Sequence, residues 1–116
     1  MSILKVNSLQ PSSAGSEDYY LCRAWVNFGG TGTVSIRDSG NVSSITDLGT
    51  GWYQVDFTNA LSSSNFSEVG NSGNSGGGSH FTQLADIRTT ATTRFYNKNL
   101  SGSLVDASEL NLWAME

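Results

Sequence analysis

Cysteine, proline and histidine each occur once in this chain of 116 residues, and charged residues make up only 14% of it. With Cys22 alone, no intrachain disulfide can form, so the chain is not a disulfide-stapled scaffold. A zinc site needs three or four ligands drawn from His, Cys, Asp and Glu, and His80 lies far from Cys22 in the sequence. The sequence therefore predicts neither a metal site nor a bound cofactor.

The charge balance excludes further classes of partner. The chain has six basic and ten acidic residues, and its net charge is −4. The basic residues are scattered, whereas binding of DNA or RNA needs a basic patch that displaces counterions. No apolar run approaches the roughly 20 residues of a membrane-spanning helix, and the first residues lack the apolar core of a signal peptide. We predict a chain made and folded in a cytoplasm, without nucleic-acid binding or membrane insertion.

Catalytic motifs are also missing. Serines are abundant, but no Gly-x-Ser-x-Gly elbow accompanies His80. Nothing in the spacing of the ten carboxylates marks a glycosidase pair. The glycine-rich stretch at 71–79 lacks the lysine of a phosphate-binding loop. We therefore predict a binding or structural protein and no catalytic residue; a hydrolase whose site is invisible in the sequence is the least favoured alternative.

What the chain has instead is neutral polarity and short alternating runs. Ser, Thr, Asn and Gly fill 52 of its 116 positions, and these residues disfavour helix interiors and favour turns and strand faces. Between Ala24 and Phe57, short apolar runs alternate with polar residues, and each run is bounded by Gly, Asn or Asp. This pattern is typical of a β-meander with tight turns. The sequence predicts an all-β fold, a small antiparallel β-sandwich or barrel.

The alternation also assigns side chains to the two sides of each strand. The residues expected in the core from the two clearest strands, at 19–28 and 52–58, are Tyr20, Cys22, Ala24, Val26, Phe28, Tyr53, Val55 and Phe57. Trp25 and Trp52 fall on the opposite sides of these strands. Trp25 is expected to cover a sheet edge or to lie in a subunit contact, and Trp52 is expected to be an exposed or intersubunit ring. Further strands are expected at 33–37, 42–47, 81–88, 92–97, 103–105 and 109–116. The stretch 71–79 is expected to be an exposed loop.

Composition divides the chain into three parts. Residues 1–10 form a short extended N-terminal segment, residues 11–18 have the composition of a linker, and residues 19–116 form the β-sandwich domain. The N-terminal segment is either an edge strand of the same domain or a docking strand that adds to a neighbouring subunit or surface. In the docking interpretation, the contacts are made by the apolar side chains of Ile3, Leu4, Val6 and Leu9.

Several motifs resemble a module found in tail-fibre and virion-surface proteins of bacteriophages, marine ones especially. The motifs are MSILKVN at 1–7, RAWVNF at 23–28, GTGTV at 30–34, SGNVSSITD at 39–47, GTGWY at 49–53 and NFSEV at 65–69. The likeness covers roughly residues 1–70 and the closing strand. It implies a virion component, usually a homotrimer, on a tail fibre or head surface, and it carries over no common enzymatic activity.

Members of this family often carry the module at the end of a much longer fibre. The resemblance therefore implies a small virion appendage for this chain, such as a head fibre, a knob, a capsid decoration or an accessory fibre tip. Such an appendage assembles in the host cytoplasm, docks to other virion proteins through residues 1–10 and trimerises through apolar strand faces. Two alternatives stay open: a tail-fibre tip that attaches to host-surface glycans, and a stand-alone carbohydrate-binding domain that binds sugar as a monomer.

Overall fold

The computed structural model describes residues 3, 5, 21–73 and 80–116, and over these residues the chain is built from β-strands without an α-helix. The eight strands are β1 (Cys22–Gly29), β2 (Ser35–Gly40), β3 (Val42–Gly49), β4 (Trp52–Phe57), β5 (Ser67–Gly73), β6 (His80–Arg88), β7 (Thr92–Asn99) and β8 (Glu109–Met115). A helix with the length and hydropathy needed to cross a membrane is accordingly absent from the described part of the chain.

The strands form two four-stranded sheets that pack face to face. The first sheet has the order β2-β1-β8-β5 and the second the order β3-β4-β7-β6, and every pair of neighbours is antiparallel. The antiparallel all-β fold predicted from the sequence is thus confirmed, and of the two predicted forms it is the sandwich. The last strand, β8, is an inner strand of the first sheet, so both of its edges are hydrogen-bonded, one to β1 and the other to β5.

The core lies between the central strands of the two sheets. Its buried apolar side chains are Ala24, Val26, Phe28, Tyr53, Val55, Phe57, Leu61, Phe66, Phe95, Ala107, Leu110, Leu112 and Ala114. The ring of Phe28, from the first sheet, lies 5.3 Å from that of Tyr53 and 6.0 Å from that of Phe95, both in the second sheet. Both contacts are edge-on, a favourable arrangement of aromatic quadrupoles. The alternation within β1 and β4 correctly predicted that Phe28 and Tyr53 lie in the core.

A single residue, Asn41, carries the chain from the first sheet to the second between β2 and β3. Its φ of 56° lies in the left-handed region, which asparagine adopts more readily than most residues. Its side-chain amide donates to the carbonyls of Arg23 and Asn59, at 3.0 Å each, and its Oδ1 accepts from the Asn59 N–H at 2.7 Å. These bonds hold the corner in place and supply hydrogen-bond partners to backbone groups that the strand pairing leaves unpaired.

Four sequence-based assignments are wrong in detail. The strands between Ala24 and Phe57 form two hairpins in different sheets rather than one meander. Residues 71–73, predicted as the start of a loop, belong to β5 because β8 supplies a pairing partner for each of them. Leu104 forms only an isolated bridge with Lys98 rather than a strand. Cys22, predicted in the core, is exposed. The register of β1 against β8 shifts between Cys22 and Ala24, and this irregularity interrupts the alternation on which the prediction depends.

Other sequence-based predictions fall partly outside the described residues. These are the linker at 11–18, the core position of Tyr20 and the remainder of the predicted loop, at 74–79. Of the proposed docking side chains, Leu4, Val6 and Leu9 also lie outside the described residues, whereas Ile3 is described and is 73% exposed.

Candidate binding surfaces

The outward side chains of the first sheet form an apolar stripe across three strands. The register places Trp25 of β1 opposite Trp113 of β8, and Trp113 opposite Val69 of β5. Trp25 is 37% exposed and Val69 58% exposed, while Trp113 is partly buried. We call these three residues the tryptophan stripe. Adjacent apolar side chains on the outside of a folded domain make this stripe a candidate surface for contact with another molecule.

A row of three amides borders the tryptophan stripe. The row consists of Asn27, Asn111 and Asn71. Each lies two residues from a member of the stripe along the same strand and therefore on the same face of the sheet. The amide of Asn27 donates to Oδ1 of Asn111, whose own amide donates to Oδ1 of Asn71 at 2.9 Å. Because each amide is held by its neighbour, the row is a fixed polar border beside the aromatic rings, and at its end Asn27 Nδ2 also donates to Glu109 Oε1 at 3.1 Å.

The neighbouring edge strand, β2, determines where the Trp25 side chain lies. The register pairs Trp25 with Gly40 of β2, and a Cβ on Gly40 would overlap the Trp25 indole nitrogen. The indole therefore lies against the edge of the sheet at the position where β2 has no side chain. This geometry agrees with the expectation that Trp25 lies on the face opposite the core and covers a sheet edge.

Trp52 lies on the outer face of the other sheet, as its alternation with buried Tyr53 predicted. Its ring lies 6.0 Å from that of Tyr96 and 5.9 Å from the Arg94 guanidinium carbon. Arg94 Nε donates to Oε1 of Gln54 at 2.8 Å. Aromatic rings beside hydrogen-bonding side chains are the groups that stack on and bind sugars. Trp25 and Trp52 therefore belong to opposite outer faces of the sandwich, and the structure does not bring them together.

A buried carboxylate, missed by the sequence analysis, forms a third candidate site. The side chain of Glu68 in β5 is only 1% exposed. Its Oε1 accepts hydrogen bonds from Thr93 Oγ1 at 2.8 Å and from Arg88 Nη2 at 3.2 Å. Its Oε2 is buried without a hydrogen-bond partner among the described residues. Burial raises the pKa of Glu68, against the opposing effects of Thr93 and Arg88.

A cavity of about 190 Å³ lies beside Glu68, between the edge strands β5 and β6. It is lined by Glu68, Val69, Gly70, Thr82, Gln83, Leu84, Phe95 and Leu112. The strands β5 and β6 belong to different sheets and are not paired with each other. Thr82 Oγ1 bridges them by donating to the Gly70 carbonyl at 2.8 Å. The cavity therefore fills the space where the two sheets separate at this edge of the sandwich.

The buried carboxylate predicts a specific dependence of stability on pH. Because burial raises the pKa of Glu68 in the folded state, the folded chain binds this proton more tightly than the unfolded chain does. The stabilisation is fully present below the unfolded-state pKa and is lost as the pH rises through the folded-state pKa. We expect the free energy of unfolding of the wild type to fall relative to that of Glu68→Gln as the pH rises above about 4.3, the ordinary glutamate pKa.

Urea denaturation of both proteins across this pH range measures the difference directly. The glutamine variant is the matched control because it keeps the size of the side chain and does not titrate in this range. Parallel pH profiles for the two proteins would show that the Glu68 pKa is not raised by folding.

Of the site residues that sequence reasoning missed, Trp113 carries a local signal, whereas Val69 and Glu68 do not. The alternation in β8 places Trp113 on the side opposite Leu110 and Leu112, which is the same signal that identified Trp25 and Trp52. Val69 became part of the stripe only through its pairing with Trp113. Glu68 had no such signal, because nothing in its spacing separates it from the other carboxylates.

Among the described residues, no group of three or more His, Cys, Asp or Glu side chains is arranged to hold a metal ion. In comparisons with known proteins, the chain matches no family model, no curated protein sequence and no solved structure at a significant level. The resemblance to phage virion proteins therefore rests on the sequence motifs alone.

Proposed function

We propose that this chain is a non-enzymatic structural protein of a bacteriophage virion. In this proposal it is a small homotrimeric appendage, a head fibre, knob, decoration or accessory fibre tip, whose β-sandwich projects from the particle. The phage assignment is supported by the motifs at 1–7, 23–28, 30–34, 39–47, 49–53 and 65–69. The self-association is supported by the tryptophan stripe on the outer face of the first sheet.

The composition of this face suits a protein–protein contact. Interfaces commonly have an aromatic centre and a polar rim, and here the rings of Trp25 and Trp113 lie beside the amide row. Covering apolar surface contributes about 25 cal/mol for each Å² removed from water. Since the amides are already held by one another, the polar border loses little side-chain freedom on association.

A second copy of the chain fits this surface because its centre carries no charge. Where symmetric copies meet near an axis, identical residues approach one another, and identical charges there would repel. The stripe consists of two tryptophans and a valine, and the bordering amides both donate and accept hydrogen bonds. We therefore place the proposed trimer contact on the tryptophan stripe.

Val69→Asp tests this contact. The variant places a carboxylate in the stripe at each of the meeting surfaces, and burying an unpaired charge there is strongly unfavourable. Because Val69 is 58% exposed in the single chain, we expect folding to be retained. We expect sedimentation equilibrium to show a trimer for the wild type and a monomer for Val69→Asp.

The matched control is Leu100→Asp, which makes the same change at a side chain that is 78% exposed and lies in the turn after β7. This control is expected to remain trimeric. A Val69→Asp protein with the same mass as the wild type would rule out the stripe as the contact between copies.

Residues 1–10 are the proposed attachment segment, and the 73% exposure of Ile3 leaves its side chain accessible to a partner. We expect a chain that lacks residues 1–10 to keep the oligomeric mass of the wild type and to be missing from purified particles. Immunoblotting of particles assembled with either chain measures this. Equal incorporation of the shortened chain would contradict the docking role of Ile3, Leu4, Val6 and Leu9.

The second candidate function is recognition of host-surface glycans, by a fibre tip or by a stand-alone carbohydrate-binding domain. The observation that favours it is the outer face of the second sheet, where Trp52 and Tyr96 lie beside Arg94 and Gln54. A glycan array distinguishes the functions: sugar binding that Trp52→Ala abolishes and Trp25→Ala preserves would favour this alternative.

A further inference from the structure

We propose that the β5 edge of each copy packs against the β2 edge of the next copy, with a hydrogen bond from Asn71 to Asp38. The proposal rests on the proposed homotrimer and adds the orientation of its copies, which the tryptophan stripe alone leaves open. It combines three features: the course of the stripe and the amide row, the donor and acceptor at the ends of the row, and the covered backbone of β5.

The stripe and the amide row both run across the strands and end at the two edges of the first sheet. The amide row ends with Asn71 on β5. At the other edge it continues to Asp38 of β2, which the register pairs with Asn27. The stripe ends in the same way, with Val69 on β5 and Gly40 on β2. Directly opposed residues of antiparallel strands share a face, so Asp38 belongs to the outer face of the sheet.

A cyclic trimer brings these two edges together. When three copies turn the outer faces of their first sheets toward one axis, with the strands along it, the three sheets form a triangular prism. Each corner of the prism joins the β5 edge of one copy to the β2 edge of the next. Cyclic symmetry includes no shift along the axis, so the amide row of one copy meets that of the next at the same height.

The side chains at the two ends of the amide row are complementary. Asn71 Oδ1 accepts from the Asn111 amide at 2.9 Å, which leaves the Asn71 Nδ2 donor without a partner among the described residues. Asp38 Oδ1 accepts from the Ser39 N–H at 2.9 Å, and in the described part of the chain its Oδ2 has no partner. Both side chains are exposed, so a neighbouring copy can reach them. A hydrogen bond from an amide to a carboxylate is stronger than one between neutral groups.

The backbone at the β5 edge is already engaged within its own chain. The Gly70 carbonyl accepts from Thr82 Oγ1 at 2.8 Å, and the Phe66 carbonyl, just before β5, accepts from Arg88 Nη1 at 2.9 Å. An edge covered in this way is a poor template for pairing with another strand. The contact between copies therefore depends on side chains, and its hydrogen bond fixes which edge meets which.

Exchanging the two side chains tests the contact. Within one copy, β2 and β5 lie three strand spacings apart, about 14 Å, so Asn71 and Asp38 of the same chain do not meet. In Asn71→Asp, two carboxylates oppose each other at each contact, while the acceptor for the Asn111 amide is kept. We expect sedimentation equilibrium to show at least a tenfold rise in the protein concentration at which half of the chains are monomeric. The double variant Asn71→Asp/Asp38→Asn has the composition of the wild type and is expected to associate within threefold of it.

The control is Ser101→Asp, which adds the same charge at an exposed position in the turn after β7. It is expected to associate as the wild type does, and circular dichroism checks that every variant is folded. A trimeric wild type whose double variant associates no better than Asn71→Asp would overturn the edge contact and leave the trimer in place. A wild type that is monomeric at every concentration would overturn the trimer and the edge contact with it.

Discussion

Gly51→Ala is expected to destabilise the fold by roughly 3–5 kcal/mol, a large part of the total stability of a domain of this size. Gly51 follows β3 at φ +63°, where an alanine is strained. A Cβ there would come within 2.6 Å of both the Asn97 carbonyl oxygen and the Val105 backbone nitrogen. These neighbours are backbone atoms and cannot rotate away, so the backbone itself must move.

The surroundings of Gly51 resist such a movement. Its N–H donates to Asp106 Oδ1 at 2.8 Å, and its carbonyl accepts from the Asn97 N–H at 2.8 Å. The same Asp106 oxygen lies 2.8 Å from Tyr53 Oη. Burial, and then the neighbouring Asp106, raises the pKa of Tyr53 well above its usual value. The bonds around Asp106 thus connect the turn at Gly51 to the aromatic core.

Gly32→Ala is the matched control. Gly32 has almost the same backbone conformation, with φ +64°, but a Cβ there would have open space around it. We expect this variant to lose only the cost of the left-handed conformation, about 1 kcal/mol. Urea denaturation of both variants separates strain from steric overlap. Equal losses in the two variants would contradict the packing described for Gly51.

Phe28→Ala is expected to cost about 3–5 kcal/mol. Phe28 is fully buried, and its ring contacts both Tyr53 and Phe95 across the interface between the sheets. The alanine variant loses the transfer free energy of the ring and leaves a cavity that the sheets on both sides cannot fill without shifting. Because this contact joins the two sheets, its loss weakens the sandwich as a whole.

The control for this variant removes the same atoms from the surface. Phe81 of β6 is 41% exposed, and Phe81→Ala is expected to cost about 1 kcal/mol or less. Thermal unfolding followed by circular dichroism compares the two variants. A loss in Phe28→Ala no greater than that in Phe81→Ala would show that the Phe28 ring is not the contact that holds the sheets together.

Alternation in the sequence was sufficient to predict the faces of the central strands. In β4, each of Tyr53, Val55 and Phe57 is buried and Trp52 faces outward. Successive side chains of a strand point to opposite faces, so the strand has only two possible orientations, and the apolar side chains must face the core. The same rule succeeded for Ala24, but it failed for Cys22 beyond the register shift in β1. An irregularity of this kind depends on the partner strand and leaves no mark in the local pattern.

Features that depend on which strands pair were not predictable in this way. Residues 71–73 have the composition of a loop, yet they extend β5 because β8 pairs with them. The tryptophan stripe requires Trp25, Trp113 and Val69 to be neighbours, although β1 and β8 lie at opposite ends of the domain sequence. Glu68 became a candidate only when the structure placed it opposite Ala114, on the inner face of the sheet.

The most direct test of the central claim, that the tryptophan stripe joins copies of this chain, is the mass of the purified wild type in solution. Light scattering behind a sizing column measures this mass independently of molecular shape. We expect a species three times the 12.4 kDa of the chain, stable on dilution. A mass of 12.4 kDa at every concentration would contradict the claim that the stripe is a self-association surface.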